Sequence, residues 1–296
     1  MQRIAMLGLC FVVANLSYAE DVVLDKDISF CKVDGIELKL DLYRPKSHVE
    51  NDSSKQPCVV AIFGGGFHVG SKEMMRMFCE QFARAGYVVI APNYRLVPQA
   101  HFPAPIEDCK CAVRWIRAHA DEYRVQADKI GAMGISAGGY LSMMLGYTDP
   151  SDGFEGNGGN EEHSSKVQAA VNYAGAFDLT LRDWEPKHEP KIVNFVGCSI
   201  DEDLDRYRKA SPRTYVHAND APTLSLHGTR DMVVPYGQAV LVDATLKSIG
   251  VASDLKLVPG ASHGWLGKEL QETQRLVIQF LDHHLRGHAS DAAQAQ

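Results

Sequence analysis

Residues 130–138 read Ile130-Gly131-Ala132-Met133-Gly134-Ile135-Ser136-Ala137-Gly138, and the reading of this stretch decides the fold. Its first half is short and apolar, as a strand buried on both faces is. From Ala137 to Tyr147 the pattern turns helical. Between the two, Gly-x-Ser-x-Gly places a serine on the sharp corner from strand to helix, the context that gives these five residues meaning. A side chain at either glycine would collide with the neighbouring strand and helix, and the serine takes a strained backbone.

A serine hydroxyl is a poor nucleophile until a base takes its proton, and a histidine serving as that base needs an acceptor to fix its tautomer. Two later strand ends supply candidates. The apolar run at 223–227 leads into Leu226-His227-Gly228-Thr229-Arg230-Asp231, and an alternating run at 255–258 leads into Pro259-Gly260-Ala261-Ser262-His263-Gly264. Singly, Asp231 reads as a turn former and His263 as a loop histidine. Together, in the order serine, acid, histidine, they read as one unit, because loops at the carboxyl ends of parallel strands gather at one edge of the sheet. The competing histidines are His227, within a strand end, and His283, His284 and His288; these three could pick up a metal, but a solvated helix end or tail accounts for them.

Phe63-Gly64-Gly65-Gly66-Phe67-His68-Val69-Gly70-Ser71 also follows an apolar run directly. Consecutive glycines let backbone N–H groups face one point, which a developing oxyanion requires. Gly65, Gly66 and the N–H of Ala137 are the candidate donors. A phosphate loop is the rival reading, since Gly65 and Gly70 have the right separation, but Ser71-Lys72 reverses the order that a nucleotide-binding loop needs.

Outward from these motifs, residues 28–43 carry Asp34-Gly35 between two alternating runs and read as an antiparallel hairpin. Residues 46–56 read as a polar connection. Further short apolar runs fall at 59–63, 87–91 and 169–174, and helical patterns at 71–85, 106–116, 237–249 and 268–285. Strands alternating with helices give a mainly parallel twisted sheet with helices on both faces and an antiparallel hairpin at its start. Residues 149–165, rich in Gly, Asn, Asp, Glu and Ser, read as a mobile surface loop. Asp149, Asp152 and Glu155 within it lack the spacing of a calcium loop. Residues 179–219 read as a small cap-like helical excursion over the catalytic end of the sheet.

The 296 residues, 45% hydrophobic and 23% charged, are those of a globular chain, and the pattern favours one domain over residues 20–296. Residues 1–19 read as a signal peptide: Arg3 opens it, an apolar run extends from Ile4 to Leu16, and Ser17-Tyr18-Ala19 suits a signal peptidase. Export to a secreted or periplasmic location follows, with no stable membrane insertion after cleavage. Loss of Arg3 would take the formal net charge from −7 to −8. With no basic run to offset it, nucleic acid is excluded as a partner. Six cysteines would remain after Cys10 is removed; Cys109 and Cys111 point to different faces of a helix and are poor partners for each other, and the sequence leaves disulfide pairing open.

The chain resembles the esterase branch of the α/β-hydrolase superfamily, with its hormone-sensitive-lipase-like carboxylesterases and bacterial feruloyl and acetyl esterases. The likeness covers nearly all of the mature chain. It rests on the motifs at 63–67, 134–138, 228–231 and 262–264, with Asn93-Tyr94-Arg95-Leu96 and Phe102-Pro103-Ala104-Pro105-Ile106-Glu107-Asp108 between them. It implies a serine carboxylesterase with Ser136 as nucleophile, His263 as base, Asp231 as orienter and Gly65, Gly66 and Ala137 at the oxyanion. It also implies short-acyl or aryl esters, acetylated or feruloylated carbohydrates among them, as substrates, and no metal or organic cofactor. A peptidase of the same fold and a non-catalytic binding protein are the alternatives. The family usually has histidine where Phe63 stands, so the glycine loop is expected to be held by packing. Asp108 could anchor Arg95 by a buried ion pair, but the helix-start role is preferred.

Overall fold

The computed structural model describes residues 21–50, 54–184 and 187–287. The leader read at 1–19 and His288 lie outside the described residues. Eight strands form one sheet in the order β1-β2-β4-β3-β5-β6-β7-β8. β1 (Val22–Val33) and β2 (Ile36–Pro45) make the hairpin, which turns at Asp34-Gly35, and β2 runs antiparallel to β4 (Val88–Pro92). All other pairings, through β3 (Gln56–Ile62), β5 (Val125–Ile135), β6 (Ala169–Tyr173), β7 (Thr223–Gly228) and β8 (Ser253–Val258), are parallel. Every residue of β4, β6 and β7 is buried, as helices on both faces of a parallel sheet require.

The helices follow the apolar periodicities. α1 (Lys46–Glu50) precedes β3, α2 (Arg76–Arg84) and α3 (Ala104–Ala118) flank β4, and α4 (Ala137–Tyr147) follows β5. α5 (Glu189–Val196) and α6 (Leu204–Lys209) lie in the excursion between β6 and β7, and α7 (Gly237–Ser248) and α8 (Gly267–Leu281) complete the chain. α4 is buried along all eleven residues, apolar on every side as a helix enclosed by the core must be.

Three expectations change. The connection at 46–56 contains α1, whose buried His48 docks against the carbonyl of Tyr123. Residues 149–165 are not a free loop. Glu155 accepts from Lys110 Nζ, Arg114 Nη1 and the Ser165 hydroxyl, each at 2.7–2.8 Å, and Phe154 is buried against Phe102. Lys110 and Arg114 are themselves buried on α3, and a buried cation without a partner is costly, so the segment is tied down by α3's need for a counter-charge. Burial pulls the Lys110 ammonium below its ordinary range, and Glu155 offsets only part of that. Asp149 faces Lys166 at 2.8 Å, and Asp152 accepts from the Asp149 N–H, so these acids have protein partners.

The third change concerns Asp108, which sits inside α3 and is 1% exposed. It accepts from Arg95 through the backbone N–H at 2.8 Å and through Nε at 3.0 Å. The ion pair, rather than the helix dipole, therefore sets its role. Arg95 also meets Asp34 in the β1–β2 turn at 2.9 Å, joining hairpin, loop and helix. The six described cysteines are free. The sulfurs of Cys31 and Cys111 both crowd Gly158, standing 2.5 and 2.8 Å from where its β-carbon would be.

Candidate active site

The carboxyl edge of the parallel strands carries the site. Ser136 follows β5 with φ +58° and ψ −117°, a strained conformation that the flanking packing enforces. A β-carbon on Gly134 would stand 2.1 Å from the Gly138 carbonyl oxygen, and one on Gly138 would stand 2.1 Å from that of Ile62 on β3. Only glycine lets strand, turn and helix approach this closely.

Asp231 follows β7 and His263 follows β8, and the sheet brings both beside Ser136. The Ser136 hydroxyl donates to His263 Nε2 at 2.8 Å, and His263 Nδ1–H donates to Asp231 Oδ2 at 2.7 Å. A carboxylate can only accept here, so Asp231 fixes the tautomer that leaves Nε2 free to take a proton. The other oxygen, Oδ1, accepts the N–H groups of Val233 and Val234 at 2.8 and 3.0 Å. Burial alone would raise the Asp231 pKa, but the hydrogen bonds from His227 and His263 more than offset it and hold the carboxyl well below the usual range.

His227 enters here as a residue whose part the sequence did not reveal. It is fully buried on β7, and its Nε2 lies 2.9 Å from the Val234 carbonyl and 3.0 Å from Asp231 Oδ2. It is remote from Ser136 in function: it braces the acid. His283 and His284 lie in the turn that follows α8, where His284 packs on Phe280, and the site does not include them.

The glycine loop lies opposite. Gly65 has φ +123°, and its β-carbon would fall 1.8 Å from the Val69 carbonyl oxygen, so only glycine permits the turn closed by His68 and Val69 N–H onto Gly65 O. Among the described residues, no backbone acceptor takes the N–H of Gly65, Gly66 or Ala137. Phe63 stacks on Tyr94 with ring centroids 4.2 Å apart, and the Tyr94 hydroxyl donates to the Phe63 carbonyl at 3.0 Å. Packing is therefore only part of what holds the loop. His68 Nδ1–H donates to Gly66 O at 2.6 Å, and Asn194 on α5 donates to His68 Nε2 at 3.4 Å. This polar brace was hidden because its histidine stands after the glycines instead of before them.

Lys72, considered above for a phosphate loop, is 2% exposed and meets Asp41, Asp27 and Glu73 at 2.8–2.9 Å. It neutralises acids and is turned away from the site. Burial would lower its pKa, but the three carboxylates more than offset this and raise it above the ordinary range.

Two cavities flank the Ser136–His263 pair. The larger, about 420 Å³, is walled by the glycine loop, Met75, Tyr140, Val233 and, from the excursion, Leu179, Trp184 and Phe195. The smaller, about 160 Å³, lies between Phe78, Tyr173, Trp265 and Leu270. Both walls are mainly apolar. Such a site offers a hydroxyl activated by an oriented imidazole, backbone donors nearby and room for an uncharged group on either side.

This sheet order and a serine elbow after β5 define an α/β hydrolase. The BD-FAE family model matches residues 40–246, and the chain belongs to that family. It is 32% identical to esterase LipC of Mycobacterium tuberculosis over 76% of this chain and 56% of LipC, so it spans about half the length of that relative. Among solved structures it is similar to the propionate-bound esterase Est2 of Thermogutta terrifontis, with a TM-score of 0.73 and 28% identity over 88% of this chain and 94% of that one. It is also similar to a bifunctional GH43-CE protein of Bacteroides eggerthii, with a TM-score of 0.78 and 28% identity over 88% of this chain and 38% of that one.

Proposed function

We propose that this chain is a serine carboxylesterase acting on short-acyl or aryl esters, acetylated and feruloylated carbohydrates among them. The observation that carries the reading is the unbroken relay from Ser136 Oγ through His263 to Asp231, at 2.8 and 2.7 Å, opening on two apolar cavities. Ser136 attacks the ester carbonyl while His263 Nε2 takes its proton, and Asp231 stabilises the imidazolium. The N–H groups of Gly65, Gly66 and Ala137 hold the oxyanion. His263 returns the proton to the leaving alcohol, and water then repeats the sequence on the acyl-enzyme.

The kinship with proteins named as esterases and the likeness to a propionate-bound esterase support this chemistry. The likeness to the bifunctional GH43-CE protein supports carbohydrate esters as the natural class. We further propose one catalytic domain over residues 20–296, with 179–219 as its cap, exported after cleavage at Ala19. Among the described residues no helix is long and apolar enough to cross a membrane. Hydrolysis of p-nitrophenyl acetate and butyrate by the wild type and Ser136→Ala tests the reading. Equal rates would overturn it.

A further inference from the structure

Two hydrogen-bond donors without a protein partner among the described residues border the larger cavity, one buried in its wall and one on the exposed Lys191. The Trp184 indole N–H is buried and has no acceptor. The Lys191 side chain, on the first turn of α5, runs across the glycine loop: the place of a β-carbon on Gly66 lies 3.2 Å from Lys191 Cδ and 4.0 Å from Nζ. Among the described residues no ion pair engages this ammonium, and no Asp or Glu lines the cavity. A buried donor without an acceptor is costly, and an exposed ammonium at the edge of the same cavity attracts an anion with a strength that salt screens.

Resting on the esterase reading above, we propose that Trp184 and Lys191 form a subsite for a carboxylate, so that the preferred substrates are esters bearing an acid group on the part lodged in the larger cavity. The indole N–H and the ammonium approach the carboxylate from two sides, while the rest of that substituent packs on Leu179 and Phe195. The charge selects among esters and takes no part in proton transfer.

Two matched pairs test this, because the acid can sit on either side of the ester. One is mono-p-nitrophenyl adipate against its methyl ester, and the other p-acetoxybenzoate against methyl p-acetoxybenzoate. The readout is the ratio of kcat/KM, acid over methyl ester, which cancels any loss common to both members. In one pair the ratio should favour the acid, should fall about tenfold in Lys191→Met, further in Lys191→Glu, and partly in Trp184→Phe, which keeps the ring and removes the donor. It should also fall as salt rises. Ratios unchanged by all three substitutions in both pairs would overturn the subsite while leaving the esterase intact. Hydrolysis of the methyl esters that survives Ser136→Ala would overturn the esterase reading, and the subsite with it.

Discussion

His227 Nε2 stands 3.0 Å from Asp231 Oδ2, the same oxygen that takes the Nδ1–H of His263. One carboxylate oxygen thus serves two imidazoles, one fixed in the core and the other reaching the serine. A hydrogen bond to a charged group contributes about 1.5–3 kcal/mol. His227→Ala, which also leaves a cavity, should lower stability by about 2–4 kcal/mol in urea unfolding. It should lower kcat roughly tenfold through a less firmly held Asp231. Asp231→Asn should cost far more, about 10⁴ in kcat, because it disturbs the tautomer itself. An unchanged kcat in folded His227→Ala would deny His227 its bracing role.

The pH dependence follows from the depressed pKa of Asp231. Its hydrogen bonds make the folded protein bind this proton more weakly than the unfolded chain does. The corresponding stabilisation is complete above the unfolded value, about 3.9, and is lost as pH falls below it towards the lower folded value. Asp231 therefore stays ionised throughout the working range and adds no proton of its own to the acidic limb of kcat/KM above about pH 4. A limb steeper than one proton above about pH 4 would contradict this.

Gly65 tests the glycine loop separately from the fold. Alanine there meets both a φ of +123° and a carbonyl oxygen 1.8 Å away. The loop must rearrange, yet the sheet beneath does not depend on it. Gly65→Ala should retain the circular dichroism of the wild type and lose about 10²–10³ in kcat, the usual effect of removing an oxyanion donor. Wild-type turnover in a folded variant would remove Gly65 from the proposed machinery.

The Lys72–Asp41 pair is almost wholly buried, whereas Asp27 and Glu73 reach solvent. Lys72→Met should destabilise by about 3–5 kcal/mol because it leaves the Asp41 charge unpaired. Adding Asp41→Leu should recover at least half of the loss. A double variant no better than the single would show that the pair's geometry, and not the stranded charge, sets the cost.

Local patterns made the strands, the helices and the elbow legible. Gly134 and Gly138 announced their close contacts, and the order Ser136, Asp231, His263 implied that three strand ends meet. What stayed hidden depends on partners distant in sequence. Glu155 looked like one acid in a polar loop because the cations it serves, Lys110 and Arg114, lie on α3. His68 and His227 stood inside the motif stretches without a role legible in sequence, since each acts by bonding another site residue. The free donors of Trp184 and Lys191 emerge only once the excursion is folded over the glycine loop.

The most direct test of the central claim is the initial rate of p-nitrophenyl acetate hydrolysis by the wild type and by Ser136→Ala, with the enzyme-free rate subtracted. If Ser136, His263 and Asp231 act as a unit, kcat falls by on the order of 10⁶, to the detection limit. Turnover undiminished in the folded variant would contradict the account at its root.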